Sequence, residues 1–130
     1  MWAGSGRDEI EIEGGSEDDV DEAHGGKSKD NIFNQGESGF RLIFGGDNDD
    51  TITAESGGES YEGRMYGASG NDELRGGCGD NDLFGGKGDD TLIGGDCGES
   101  NHFVCGPGID TITNFDAGQG DTKTGDCENF

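Results

Sequence analysis

Six aspartates recur at one phase of a glycine-rich frame: Asp8, Asp30, Asp50, Asp72, Asp90 and Asp110, spaced 18 to 22 residues apart. Each closes a segment of the kind GGKGDD, as at Gly85 to Asp90. Carboxylates are hard oxygen ligands, and turn carbonyls supply more oxygens of the same kind, a combination suited to a hard divalent cation. The overall charge agrees. Thirty acidic residues stand against eight basic ones, for a formal charge of −22. Cations are the natural partners of such a chain. Nucleic acid and anionic membrane need basic patches, which eight scattered Lys and Arg cannot supply. No apolar run approaches the ~18 residues of a membrane span, so no membrane insertion is expected.

The elements that must hold these aspartates cannot be those of an ordinary two-layer core. Leu, Ile, Val and Phe together number 21 of 130 residues. That is below the ~20% at which a highly charged chain is expected to be disordered. Something besides apolar burial must organise the chain, and 29 glycines with a single proline point the same way.

The organisation lies in an internal repeat of nine. Gly67 to Arg75 (GASGNDELR), Gly76 to Phe84 (GGCGDNDLF) and Gly85 to Ile93 (GGKGDDTLI) are contiguous copies. Gly25 to Phe33 (GGKSKDNIF), Gly45 to Thr53 (GGDNDDTIT), Cys105 to Thr113 (CGPGIDTIT) and Ala3 to Glu11 (AGSGRDEIE) keep the frame. The pattern resembles the RTX nonapeptide GGxGxDxUx, in which U is a large apolar residue. Glycines let GGxGx turn tightly, and xUx is a short strand with its middle side chain turned inward. The resemblance implies an all-β fold: a parallel β-roll, or β-solenoid, of about five to six coils with two nonapeptides per coil. Residues 3–113 would form the roll and residues 114–130 a closing segment. Asn114-Phe115-Asp116 through Gly120-Asp121 resembles the closing segment of RTX arrays, which favours a true C-terminus. The inward series expected is Ile10, Val20, Ile32, Ile43, Ile52, Met65, Leu74, Leu83, Leu92, Phe103 and Ile112, with Val20 in a copy one residue out of frame.

Alternate copies differ. Position six of the odd copies, which begin at residues 3, 25, 45, 67, 85 and 105, is always aspartate. In the even copies it is Asp19, Arg41, Gly63, Asn81 and Asn101. With two copies per coil, odd turns stack on one edge as a ladder of aspartates and even turns form looser loops on the other. Three of those loops contain Gly-Glu-Ser: Gly36-Glu37-Ser38, Gly58-Glu59-Ser60 and Gly98-Glu99-Ser100. Parallel strands lie ~4.8 Å apart, so stacked aspartates repel unless a cation sits between them. Calcium accepts six to eight oxygens with flexible geometry, whereas magnesium demands a stricter octahedron. The resemblance implies several Ca²⁺ ions between adjacent coils. They would be bound by the six odd aspartates and by carbonyls of Gly4, Gly6, Gly26, Ser28, Gly46, Asn48, Ala68, Gly70, Gly86, Gly88, Gly106 and Gly108. Ser28, Asn48 and Ala68 depart from glycine; Ser28 and Ala68 are expected to weaken their turns.

The four cysteines lack zinc-type spacing and read as disulfides in an oxidising compartment. Cys78 and Cys97 are one coil apart on the even side, and Cys105 and Cys127 are one coil apart if the tail continues the winding. Stacked positions fall within the Cα range a disulfide accepts, so the expected pairs are Cys78–Cys97 and Cys105–Cys127. No HExxH, GxSxG, Walker or EF-hand pattern occurs, and His24 and His102 read as solvated loop or strand-edge residues. The expectation is a non-enzymatic, calcium-binding structural module, secreted or at the cell surface. Alternatives are a self-assembling subunit of a calcium-dependent fibre and the C-terminal repeat part of a larger secreted enzyme, toxin or adhesin. Self-association draws on the start of the first copy at Ala3, which leaves Met1 and Trp2 as too little for a cap, and on an outward stripe of Phe44, Tyr66, Phe84 and Val104.

Overall fold

Short strands set between glycine turns cannot bury a face alone, so they stack on their own repeats. The computed structural model describes residues 1–13, 20–35, 40–54, 62–95 and 97–130, with backbone only for Val20 and Phe40. Among these residues every regular element is a strand. The odd copies give β1 (Glu9–Ile12), β3 (Asn31–Asn34), β5 (Thr51–Ala54), β7 (Glu73–Arg75), β9 (Thr91–Ile93) and β11 (Thr111–Thr113). The even copies give β2 (Val20–Lys27), β4 (Phe40–Asp47), β6 (Gly63–Ser69), β8 (Asn81–Lys87), β10 (His102–Val104) and β12 (Thr122–Lys123). Odd strands form one six-stranded sheet and even strands another, each in chain order and paired in parallel. The chain is a parallel β-roll.

The inward residues form two columns facing each other across the roll. Ile10, Ile32, Ile52, Leu74, Leu92 and Ile112 line the odd sheet; Ala23, Ile43, Met65, Leu83 and Phe103 line the even one, and none is more than 4% exposed. Ala23 rather than Val20 holds the inward place in its coil. Val20 pairs with Phe40, while Ala23 pairs with Ile43. Inward position follows register against the next coil, and counting nines misplaces it where a copy slips. The same slip puts Asp21 beside Arg41, in the position expected of Asp19. Asp19, Gly36-Glu37-Ser38 and Gly58-Glu59-Ser60 lie outside the described residues.

The outward stripe is a stack of rings and is longer than expected. Trp2, His24, Phe44, Tyr66 and Phe84 lie face to face, with centroids 3.7, 4.6, 4.9 and 4.6 Å apart. His24 is thus a half-buried strand residue between two rings; of the two settings expected for it, solvated loop or strand edge, the loop is excluded. His102, in β10, bonds Thr122 Oγ1 through Nδ1 at 2.7 Å. Ala3 N–H donates to the His24 carbonyl and His24 N–H to the Met1 carbonyl, each at 2.9 Å, so the first residues run alongside β2. At the opposite end Phe115 packs on the core near Phe103, and Phe130 closes over Phe115 edge-on. Both disulfides form as expected. Cys78–Cys97 and Cys105–Cys127 have Cα separations of 5.2 and 5.3 Å.

Close stacking leaves no room at the fourth turn position of the Gly85 copy. A Cβ on Gly88 would stand 1.9 Å from the Gly70 carbonyl oxygen at φ +130°, whereas one on Gly4 would meet nothing within 4 Å. Gly88→Ala should therefore cost about 2–4 kcal/mol, from left-handed strain plus a forced coil displacement, and Gly4→Ala about 0.5 kcal/mol or less. Denaturant unfolding at saturating calcium measures the two, and equal losses would contradict the stacking.

Candidate metal centre

Each odd turn carries its aspartate into the same edge, just ahead of the strand, and parallel register aligns them coil upon coil. The side chains link the coils. The amide of Asp8 donates to Asp30 Oδ1 at 2.8 Å, and Asp30, Asp50, Asp72 and Asp90 each do the same to the next aspartate at 2.7–2.8 Å. This uses one oxygen of each carboxylate. The other, Oδ2, is buried without a partner in Asp30, Asp50, Asp72, Asp90 and Asp110, residues no more than 2% exposed. Asp8 differs: it is half-buried, and its Oδ2 accepts the Gly4 amide at 3.2 Å.

Backbone oxygens converge on the orphaned ones. A Cβ on Gly67 would lie 2.4 Å from Asp72 Oδ2 and 2.5 Å from the Gly85 carbonyl oxygen. On Gly85 it would lie 2.5 Å from Asp90 Oδ2 and 2.8 Å from the Cys105 carbonyl. Glycine at the first turn position thus keeps open a notch in which a carboxylate of one coil meets a carbonyl of the next. Second- and fourth-position carbonyls also lean toward the following coil: the Ala68 oxygen lies 2.4 Å from a Cβ on Gly86, and the Asn48 oxygen 2.2 Å from one on Gly70. Ser28, Asn48 and Ala68 take positive φ angles of 147°, 76° and 86°, so they follow the glycine turn path. The first-position carbonyls of Gly45, Gly85 and Cys105 were not foreseen from sequence; only the stacking register shows which oxygen faces each notch.

Among the described residues no three His, Cys, Asp or Glu side chains come together as a side-chain cage would require. The donor set is instead one carboxylate per coil completed by carbonyls, all hard oxygen, with the unpartnered Oδ2 as the position still needing a positive charge. That set fits calcium. Bound between coils, the ion would neutralise the carboxylates and cross-link successive turns.

The even edge meets the same stacking with its own donors. Asn81 Nδ2 donates to the Gly77 and Gly79 carbonyls at 3.0 and 2.8 Å, carbonyls equivalent by repeat position to those of Gly86 and Gly88. The Asn101 amide donates to Asp121 Oδ1 at 2.7 Å. Arg41, 1% exposed, pairs with Asp21, and Gly63 beside it in register carries no side chain. Ser100 of the described Gly-Glu-Ser loop ties coils together, its amide on Asp80 Oδ1 and its hydroxyl on the Gln119 carbonyl.

A parallel roll with one edge of stacked carboxylates and turn carbonyls is a repeat solenoid. Residues 35–58 and 65–96 match the family model of the RTX calcium-binding nonapeptide repeat, in four copies, so the chain carries RTX calcium-binding repeats. No curated protein and no solved structure matches it.

Without metal, the ladder favours protons. Burial first, then neighbouring aspartates, raise Asp50 and Asp90 to about 6 and Asp72 to about 7, against opposing backbone hydrogen bonds. The ordinary value is 3.8. Between about pH 4 and 7 the folded ladder thus holds more protons than the unfolded chain, and the metal-free roll loses stability as pH rises through that window. In chelator, β-signal and melting temperature should rise as pH is lowered from 8 to 5, and calcium should remove the trend. A chelated melting temperature that is flat or rises with pH would contradict the buried ladder.

Proposed function

We propose that the chain is an extracellular structural module, without enzymatic activity, whose folding is driven by calcium ions between its odd turns. The observation that carries this is the row of five buried Oδ2 atoms without a partner. Leaving a buried charged group unsatisfied costs several kcal/mol, so the roll as folded calls for a cation. Metal binding free energy then becomes folding free energy. The two disulfides support an oxidising, extracellular setting. A second reading, end-to-end association of copies, is favoured by β1, which pairs with β3 alone in its sheet, and by the 77% exposed Trp2 ring at the end of the aromatic stack. Light scattering against calcium concentration tests it; a protein that stays monomeric at saturating calcium and high concentration excludes it.

Circular dichroism should show mostly coil in excess chelator and β-signal on adding calcium. Full β-content in chelator at neutral pH would overturn the reading. Asp72→Ala or Asp90→Ala should raise the calcium needed for folding at least tenfold. Asn81→Ala, which frees the Gly77 and Gly79 carbonyls, should lower stability by about 1–3 kcal/mol with a calcium requirement changed far less. Equal effects on that requirement would refute a one-sided ladder.

A further inference from the structure

The two disulfides sit in opposite surroundings. Cys105 and Cys127 are 0% and 5% exposed and belong to the core. Cys78 is half-buried and Cys97 exposed, and both line an open cleft of about 340 Å³ where odd strands run into even turns. Arg75 and Ile93, the last residues of β7 and β9, line its odd side, and glycines of the even turns line the other. Those turns must be bare backbone. A Cβ on Gly95 would stand 2.2 Å from the Gly77 carbonyl oxygen, so no side chain at that place covers the sulfurs. Arg75 is the one charged side chain lining the cleft among the described residues. Its charge is uncommitted, because the ion pairs there are those of His24, Arg41 and Arg64. In a chain of formal charge −22, an arginine without a carboxylate partner beside an open cleft is a place for an anion from outside.

We propose that Cys78–Cys97 is a modification site, an exchangeable disulfide that takes up a small carboxylate-bearing thiol, with Cys97 Sγ attacked and Arg75 pairing with the carboxylate. The incoming thiolate forms a bond to Cys97 Sγ, the bond between the two cysteine sulfurs breaks, and its electron pair leaves on Cys78 Sγ. One disulfide and one thiolate become one mixed disulfide and one thiolate, so no oxidant or reductant is consumed. Attack falls on Cys97 because exchange requires access to the attacked sulfur, and Cys97 is the more exposed of the pair. The Arg75 guanidinium, lining the same cleft, also favours the negative charge left on Cys78. The cleft lies near the lower end of the roughly 300–1,000 Å³ of small-molecule sites, a size for a thiol of amino-acid or short-peptide dimensions. The turns have other ties, so the roll outlasts the exchange. The Ser100 amide donates to Asp80 Oδ1 at 2.9 Å, the Gly76 amide to the Ile93 carbonyl at 2.8 Å, and β8 pairs with β10. Cys105–Cys127, by contrast, is closed to a thiol until the tail opens.

The test uses the folded protein at saturating calcium with 3-mercaptopropionate, and with 2-mercaptoethanol as its uncharged counterpart at the same thiolate concentration. Adducts and free thiols are trapped by alkylation and located by peptide mass spectrometry. The adduct should appear on Cys97, with Cys78 recovered as the free thiol and the β-signal retained. It should form at least about tenfold faster than any cleavage of Cys105–Cys127. Cleavage of both disulfides at one rate, of Cys105–Cys127 first, or of neither short of unfolding would overturn the site. An adduct on Cys78 in place of Cys97 would overturn the direction of attack. In Arg75→Gln the ratio of the mercaptopropionate rate to the mercaptoethanol rate should fall severalfold, and Arg75→Lys should restore most of it. A ratio unchanged by Arg75→Gln would overturn the carboxylate preference.

Discussion

Everything in this roll depends on how a stack of buried carboxylates is kept from pushing the coils apart. Two unit charges ~5 Å apart at an effective dielectric of ~20 repel by about 3 kcal/mol. Repeated over five gaps, that would exhaust the ~5–15 kcal/mol stability of a small domain. The two core columns offer little reserve, being single files of Ile, Leu, Met and Phe with Ala23 at one end. A charged, metal-free ladder would therefore strongly destabilise the roll at neutral pH. Protonation would relieve it in acid, and the proposed divalent cations would relieve it where carboxylates are ionised.

The two edges solve the same geometric problem by different chemistry. Parallel stacking exposes a file of turn carbonyls in every coil, and each file needs donors or a cation. On the even edge the donors are covalent parts of the chain: the Asn81 amide on the Gly77 and Gly79 carbonyls, and the Arg41 guanidinium paired to Asp21. The Cys78–Cys97 disulfide reinforces the same edge. On the odd edge no donor among the described residues reaches Oδ2 of Asp30, Asp50, Asp72, Asp90 or Asp110, and the proposed cation would take that place. On the proposed reading, the even edge aligns the coils without metal, and the odd edge would make their final closure conditional on it.

The roll, its two sheets, the odd aspartate file and the Cys78–Cys97 disulfide were legible in sequence because they depend only on period, and Cys105–Cys127 because the tail continues the winding. A strict nine-residue frame fixes which residues face inward, and cysteines one coil apart must approach each other. What escaped depends on register between coils, where the frame slips. Ala23 replaced Val20 because β2 aligns with β4 through Ala23 opposite Ile43. The stacking of His24 was missed because its ring partners, Trp2 and Phe44, are remote in sequence and meet it only through the coils. Glu128 and Asp126 lie in no repeat copy, yet the tail delivers their oxygens to ladder positions. Length differences among the even copies hid these alignments.

A solenoid sets every side chain against its counterpart one coil away, so residue type alone decides whether a file attracts or repels. The ring centroids from His24 to Phe84 lie 4.6–4.9 Å apart, close to the ~4.8 Å spacing of parallel strands. The same spacing that brings the rings into contact brings the carboxylates into conflict. The exchange is unequal. An aromatic pair contributes about 0.5–1.5 kcal/mol beyond its buried area, and less than that when face to face, against about 3 kcal/mol for each charged gap. Four ring contacts cannot offset five repulsive gaps. The aromatic file can hold the even sheet in register, but it cannot close the odd edge, which is where the proposed calcium ions would act.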